Sequence, residues 1–106
     1  MKVTFYVTPG QAQPVRHYIE TLPKEEAAEI AAVLQYIFHH DIDPTVDCRH
    51  IRGKLWELRP NQHRIFYVVV NGPEMVLLHA YKKQSRKAPK AEIRVAMKRL
   101  KEVTGD

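Results

Sequence analysis

Lys54-Leu55-Trp56-Glu57-Leu58-Arg59, His63-Arg64-Ile65-Phe66-Tyr67-Val68-Val69-Val70 and Glu74-Met75-Val76-Leu77-Leu78-His79-Ala80-Tyr81 decide the fold. Each run is short, rich in β-branched and aromatic residues, and bounded by turn formers. Pro60-Asn61-Gln62 and Asn71-Gly72-Pro73 separate them. Connections that short join antiparallel neighbours, so the three runs predict a meander. Alternation places Trp56 and Leu58 on one face, read as core, and Leu55, Glu57 and Arg59 on the other. His79, Tyr81 and Lys83 share one side of the third strand, and Lys82 falls on the opposite side.

Outward from the meander, Lys2 to Val7 alternates and predicts a short strand that Pro9-Gly10 ends. Gln11 to Thr21 predicts a short helix, with Pro14 tolerated in its first turn. Thr21 is placed to cap a second helix, and Lys24-Glu25-Glu26 open it with acids suited to the helix dipole. Ala27, Ile30, Ala31, Leu34, Ile37 and Phe38 follow at helical spacing. Asp41 to Gly53 is polar, contains Pro44, and reads as a loop. Pro89 opens a last helix with Ile93, Ala96, Met97, Leu100 and Val103 on one side and Lys90, Arg94, Lys98 and Lys101 on the other. The order β-α-α-β-β-β-α predicts an α+β fold: an N-terminal strand and helical hairpin packed on an antiparallel sheet, with a C-terminal helix. The sheet's other face is expected to be open.

The 106 residues form a single domain over 1–106 that can bury a core without disulfides or metal. The lone Cys48 has no disulfide partner within the chain and fits a reducing cytosol. No signal peptide or apolar run of membrane-spanning length is visible, so a soluble, cytoplasmic protein is expected. Charge is segregated. Residues 1–48 carry three basic and seven acidic side chains, whereas residues 49–106 carry fourteen basic and five acidic. A basic half of that kind points to an anionic partner.

Glu57, Arg59, Arg64, His79, Tyr81, Lys82 and Lys83 are the candidates for chemistry on that partner. RNA cleavage without metal needs help for the 2′-hydroxyl, cations for the phosphorane dianion and an acid for the leaving 5′ oxygen. Glu57 or His79 could be the base. Arg59 and Arg64 suit the phosphate because a guanidinium grips two oxygens. His79 or a lysine among cationic neighbours could be the acid, and Tyr81 could stack on a base or donate a hydrogen bond. Lys54, Arg86, Lys87, Lys90 and Arg94 are candidates for holding RNA backbone. Glu57 with Arg59 equally fits a surface ion pair, and His79 a core histidine. There is no Gly-rich phosphate loop, no nucleophile elbow, and no cysteine pair or spaced histidines for zinc, so neither a cofactor nor a metal is expected.

Gly53-Lys54-Leu55-Trp56-Glu57-Leu58-Arg59-Pro60, Arg64-Ile65-Phe66-Tyr67 and Leu77-Leu78-His79-Ala80-Tyr81-Lys82-Lys83 together resemble the RelE/HigB superfamily of toxins, closest to its phage-derived, HigB-like branch. The resemblance implies the toxin of a type II toxin–antitoxin pair: a metal-independent endoribonuclease that cuts mRNA on the ribosome and stops translation. It implies a cognate antitoxin, a small helix-turn-helix protein, beside ribosome and mRNA as partners. Arg59, Arg64 and the Lys82-Lys83 pair match basic positions of the family, and His79 and Tyr81 belong to the same branch motif. Some relatives carry lysines at the positions of Leu55 and Glu57, and others a C-terminal Tyr or His that this chain lacks after Tyr81. ParE-type members share the fold but act on DNA gyrase. That activity, or a catalytically degenerate chain binding only antitoxin or RNA, is the alternative the resemblance leaves.

Overall fold

A computed structural model describes residues 1–105. The elements run β1 (Lys2–Phe5), α1 (Pro14–Glu20), α2 (Lys24–His40), β2 (Cys48–Arg52), β3 (Leu55–Leu58), β4 (His63–Val70), β5 (Glu74–Lys82) and α3 (Lys90–Thr104). The strands make one five-stranded sheet in the order β1-β5-β4-β3-β2. The meander lies where the turn sequences place it, and β4 has the limits its sequence marks. β1 adds to the far side of β5 in parallel, with Lys2 opposite Glu74 and Phe5 opposite Leu77, so the sheet is mixed. A parallel neighbour requires a long crossover, which α1 to β4 supply.

Two differences from the sequence expectation bear on function. The stretch read as a loop from Asp41 to Gly53 contains β2, whose Cys48, Arg49 and His50 pair with Leu58, Glu57 and Trp56. Cys-Arg-His-Ile-Arg is a polar strand because it forms the sheet's edge, where charged side chains stay wetted. Nor is either face of the sheet open. α1 and α2 cover one face, where Val15, Ile30 and Ile37 meet Leu58, Ile65, Tyr67, Met75 and Leu77. α3 covers much of the other, with Ala96 and Leu100 against Leu55, Phe66, Leu78 and Tyr81. The facing read for β3 is corrected in consequence. Leu55 and Glu57 are buried and Trp56 is 38% exposed, because α3 lies over the one side and α2 stops short of the other. Leu58 is buried as expected.

Local chemistry explains the helix limits. Pro14 opens α1 at a position where the missing N–H costs nothing. Thr21 does not cap α2: its Oγ1 donates back to Tyr18 O at 2.8 Å, and Pro23 precedes the helix. Ile30 and Ile37 are fully buried, each contributing about 1.5–3 kcal/mol, whereas Phe38 is left 56% exposed. Gly105 ends α3 in the left-handed region (φ 78°), with its N–H on Lys101 O at 2.8 Å.

His63 opens β4 and ties the hairpin to the sheet. Its ring is buried between the Tyr18 hydroxyl, 2.7 Å from Nδ1, and Glu26 Oε1, 2.7 Å from Nε2. α1, α2 and β4 are thereby fixed to one another at a single side chain.

Candidate active site

Strand alternation turns Glu57 toward α3, beyond the reach of the helix's apolar side. The carboxylate is 1% exposed, yet its surroundings are polar. Tyr81 Oη donates to Glu57 Oε2 at 2.9 Å, and Arg49 from β2 brings Nη2 to 3.8 Å from Oε1. Phe66 stacks on the Tyr81 ring at 5.5 Å and closes the apolar side of the pair. Burial, then the hydrogen bond to Glu57 and its negative charge, push the Tyr81 phenol well above its usual range, against the pull of Arg64. Tyr81 is therefore a hydroxyl at physiological pH, a donor and not a phenolate base.

Arg64 sits opposite Tyr81 in the β4–β5 ladder and is 7% exposed. Its Nη1 donates to Asn61 O and His63 O, both at 2.8 Å, which fixes the guanidinium plane. Arg59 follows β3, held by its own N–H on Asp47 O at 3.0 Å. Its Nη1 is 4.0 Å from Asp47 Oδ1, and its Nε is buried with no hydrogen-bond partner among the described residues. A buried charged donor without an acceptor is costly, and a bound anion would satisfy it.

These groups share one cleft of about 220 Å3, lined by Arg49, Glu57, Arg59, Arg64, Tyr81, Lys83, Ser85, Arg86 and Ala88. Five cations thus surround one buried carboxylate. The volume is below the ~300 Å3 at which small-molecule pockets begin, and suits a phosphodiester with its adjoining hydroxyl more than a whole nucleotide.

Of the residues singled out by sequence, the cleft brings together Glu57, Arg59, Arg64, Tyr81, Lys83 and Arg86. His79 is not among them. Its Nε2 lies 2.8 Å from Glu92 Oε1 and its Nδ1 3.3 Å from Arg99 Nη1, so it belongs to the seam between β5 and α3. Lys82 alternates away from Lys83, lies opposite His63 in the ladder and is exposed. Lys87 is exposed, its carbonyl accepting Ser85 Oγ at 3.1 Å. Lys54 lines a separate hollow beside Trp56. Lys90 and Arg94 line a groove with Arg52, Lys98 and Lys101, apart from the cleft. Arg49 and Ser85 were not anticipated. The signal for Arg49 was available: Arg49 and Ile51 alternate with Cys48 and His50 as an edge strand would. Among the described residues, no group of three His, Cys, Asp or Glu is placed to hold a metal ion, and no helix is long and apolar enough to cross a membrane.

A meander edged by a parallel N-terminal strand, with a helical hairpin on one face and a terminal helix on the other, defines a RelE-like fold. The chain is similar to a chain of the crystal structure of the archaeal RelE-RelB complex from Pyrococcus horikoshii OT3, with a TM-score of 0.59 at 16% identity over 81% of this chain and 97% of that one. The family model for phage derived protein Gp49-like (DUF891) matches residues 17–101, and the chain belongs to that family. A search of the curated proteins found no match.

Proposed function

We propose that this protein is the toxin of a toxin–antitoxin pair, of the HigB-like branch, and that it cleaves mRNA on the ribosome without a metal ion. The observation that carries the reading is the cleft: five cationic side chains around a buried carboxylate–phenol pair, with Arg59 Nε awaiting an acceptor. The Gp49-like family and the RelE-like fold support it. A phosphodiester seated there places its oxygens among Arg59, Arg64 and Lys83, which carry the charge of the phosphorane. Glu57 takes the proton of the attacking 2′-hydroxyl, and Tyr81 orients the carboxylate. The departing 5′ oxygen draws its proton from Lys83, a donor that lines the same cleft. The cognate antitoxin, a small helix-turn-helix protein, would restrain the activity.

Arg59→Ala and Glu57→Gln test this. Arg64 is less suitable, since truncating it also strips hydrogen bonds from two carbonyls. In a translation extract, wild-type protein is expected to cut mRNA within translated regions, with 5′ ends mapped by primer extension. Each variant is expected to lose at least ~100-fold, the range for one transition-state contact. Intact mRNA accompanied by gyrase-linked DNA breaks would overturn the proposal in favour of a ParE-type action.

A further inference from the structure

The outer edge of β2 is unpaired, and its two faces differ in chemistry. Among the described strands, β2 bonds to β3 alone. Arg59 N–H donates to Asp47 O and Arg49 lies opposite Glu57, so ladder alternation turns the peptide groups of Cys48 and His50 outward. On the hairpin side, where α2 stops short, lies a hollow of about 730 Å3 lined by Val46, Cys48, Trp56, Tyr67 and Val69. Trp56 and Val69 are 38% and 41% exposed there. On the α3 side, Arg49 faces the cleft, and the register shift between His50 and Arg52 brings Arg52 to the same side, in the groove shared with Lys98 and Lys101.

We infer that β2 is the docking edge for an extended acidic–apolar segment of a partner protein. Such a strand extends the sheet, sends alternate apolar side chains into the Trp56 hollow, and presents the intervening carboxylates to Arg49 and Arg52. The period of two along a strand is what sorts the two chemistries onto the two faces. A concave site with an exposed tryptophan is the usual seat of a protein anchor. A second copy of this chain does not fit, because antiparallel pairing of β2 with itself gathers the arginines of both strands along one edge and brings no carboxylate to them. RNA offers neither a peptide ladder nor apolar side chains for the hollow. A strand seated there neutralises Arg49 and so disarms the cleft. That regulatory consequence rests on the proposed nuclease, whereas docking itself does not.

The probe is a short synthetic peptide alternating valine and glutamate. Its control carries the same residues as a valine block and a glutamate block. Binding to the full chain is followed by calorimetry and by amide chemical shifts, without RNA or ribosomes. The alternating peptide is expected to bind, to shift the amides of Cys48–Arg52, and to outbind the block peptide at least tenfold. Trp56→Ala and Arg52→Glu are each expected to weaken it about tenfold while leaving the fold intact by circular dichroism. No binding, equal binding of the block peptide, shifts confined to α3, or self-association of the chain through β2 would each overturn the inference. Since no cleavage is measured, failure here leaves the nuclease reading standing, and intact mRNA in the extract leaves this one standing.

Discussion

Tyr81→Phe removes a single oxygen, and the structure gives its consequence a size. The hydroxyl is the hydrogen-bond donor on Glu57 Oε2, and Arg49, at 3.8 Å, is too distant to replace it. With Glu57 1% exposed, little solvent is in place to take over the hydroxyl's bond. Hydrogen bonds to buried charged groups contribute about 1.5–3 kcal/mol, and neutral ones about 0.5–1.5 kcal/mol. Tyr81→Phe should therefore cost about 2 kcal/mol at neutral pH, and about 1 kcal/mol in a Glu57→Gln background. Urea denaturation followed by circular dichroism reads both, since ~2 kcal/mol moves the midpoint by roughly 1 M when the slope is ~2 kcal/mol/M. The double-mutant cycle then leaves a coupling of about 1 kcal/mol. A loss below ~0.5 kcal/mol, or the same loss in both backgrounds, would refute the view that the phenol stabilises a buried carboxylate.

Leu55→Ala should cost about 2–5 kcal/mol while Trp56→Ala costs under ~1 kcal/mol, since α3 covers the first and the second stands in an open hollow; equal losses by urea titration would contradict the facing of β3. His63→Ala should cost roughly 3 kcal/mol, because it strips the partners of Tyr18 and Glu26 and leaves a cavity; a loss under ~1 kcal/mol would show that the hairpin is held by apolar contacts alone. The Tyr67 phenol is raised by burial and then by its hydrogen bond with Cys48, and Tyr81 is raised as well. Both stay protonated in the fold above pH ~10, where an unfolded chain releases its phenolic protons, so stability is full below that pH and falls as pH rises further. Tyr67→Phe and Tyr81→Phe should each flatten that decline in thermal melts, and an unchanged slope would count against the buried phenols.

Much of the sheet was legible because its signals are local. The turns at Pro60-Asn61-Gln62 and Asn71-Gly72-Pro73 sit between runs of fixed period, and β4 and β5 follow from them. The parallel seat of β1 was not legible, since nothing local in Lys2–Phe5 specifies a partner at Glu74–Leu77. β2 escaped for a related reason: an edge strand is identified by the neighbour it pairs with, and its own side chains are polar. Period two sorts β3 onto two faces, Trp56 with Leu58 and Leu55 with Glu57, but does not tell that both are covered. Hydrophobicity alone turns Trp56 inward, whereas the reach of the covering helices leaves it half-exposed and buries Leu55 and Glu57. The cover by α3 also decides the character of Glu57, which lies beneath Tyr81 and not in a surface ion pair with Arg59. His79 sits at the right phase for the cleft, but Glu92 and Arg99 arrive from α3 and claim it.

The pairing of β1 with β5 bears on how the chain is made. Lys2 finds its place beside Glu74, so β1 has no neighbour to pair with until β5 has been made. At ~5–20 residues per second, that wait lasts roughly 4–14 s. During it the apolar stripe of α2, with Ile30 and Ile37, has no β4 to cover it. The cleft, by contrast, draws on a contiguous stretch from Arg49 to Ala88 and can be assembled as a late, local event. Nascent chains should therefore pass through a chaperone-binding interval before the cleft exists, and its length is set by how far Glu74–Leu77 lie from Lys2–Phe5 along the chain.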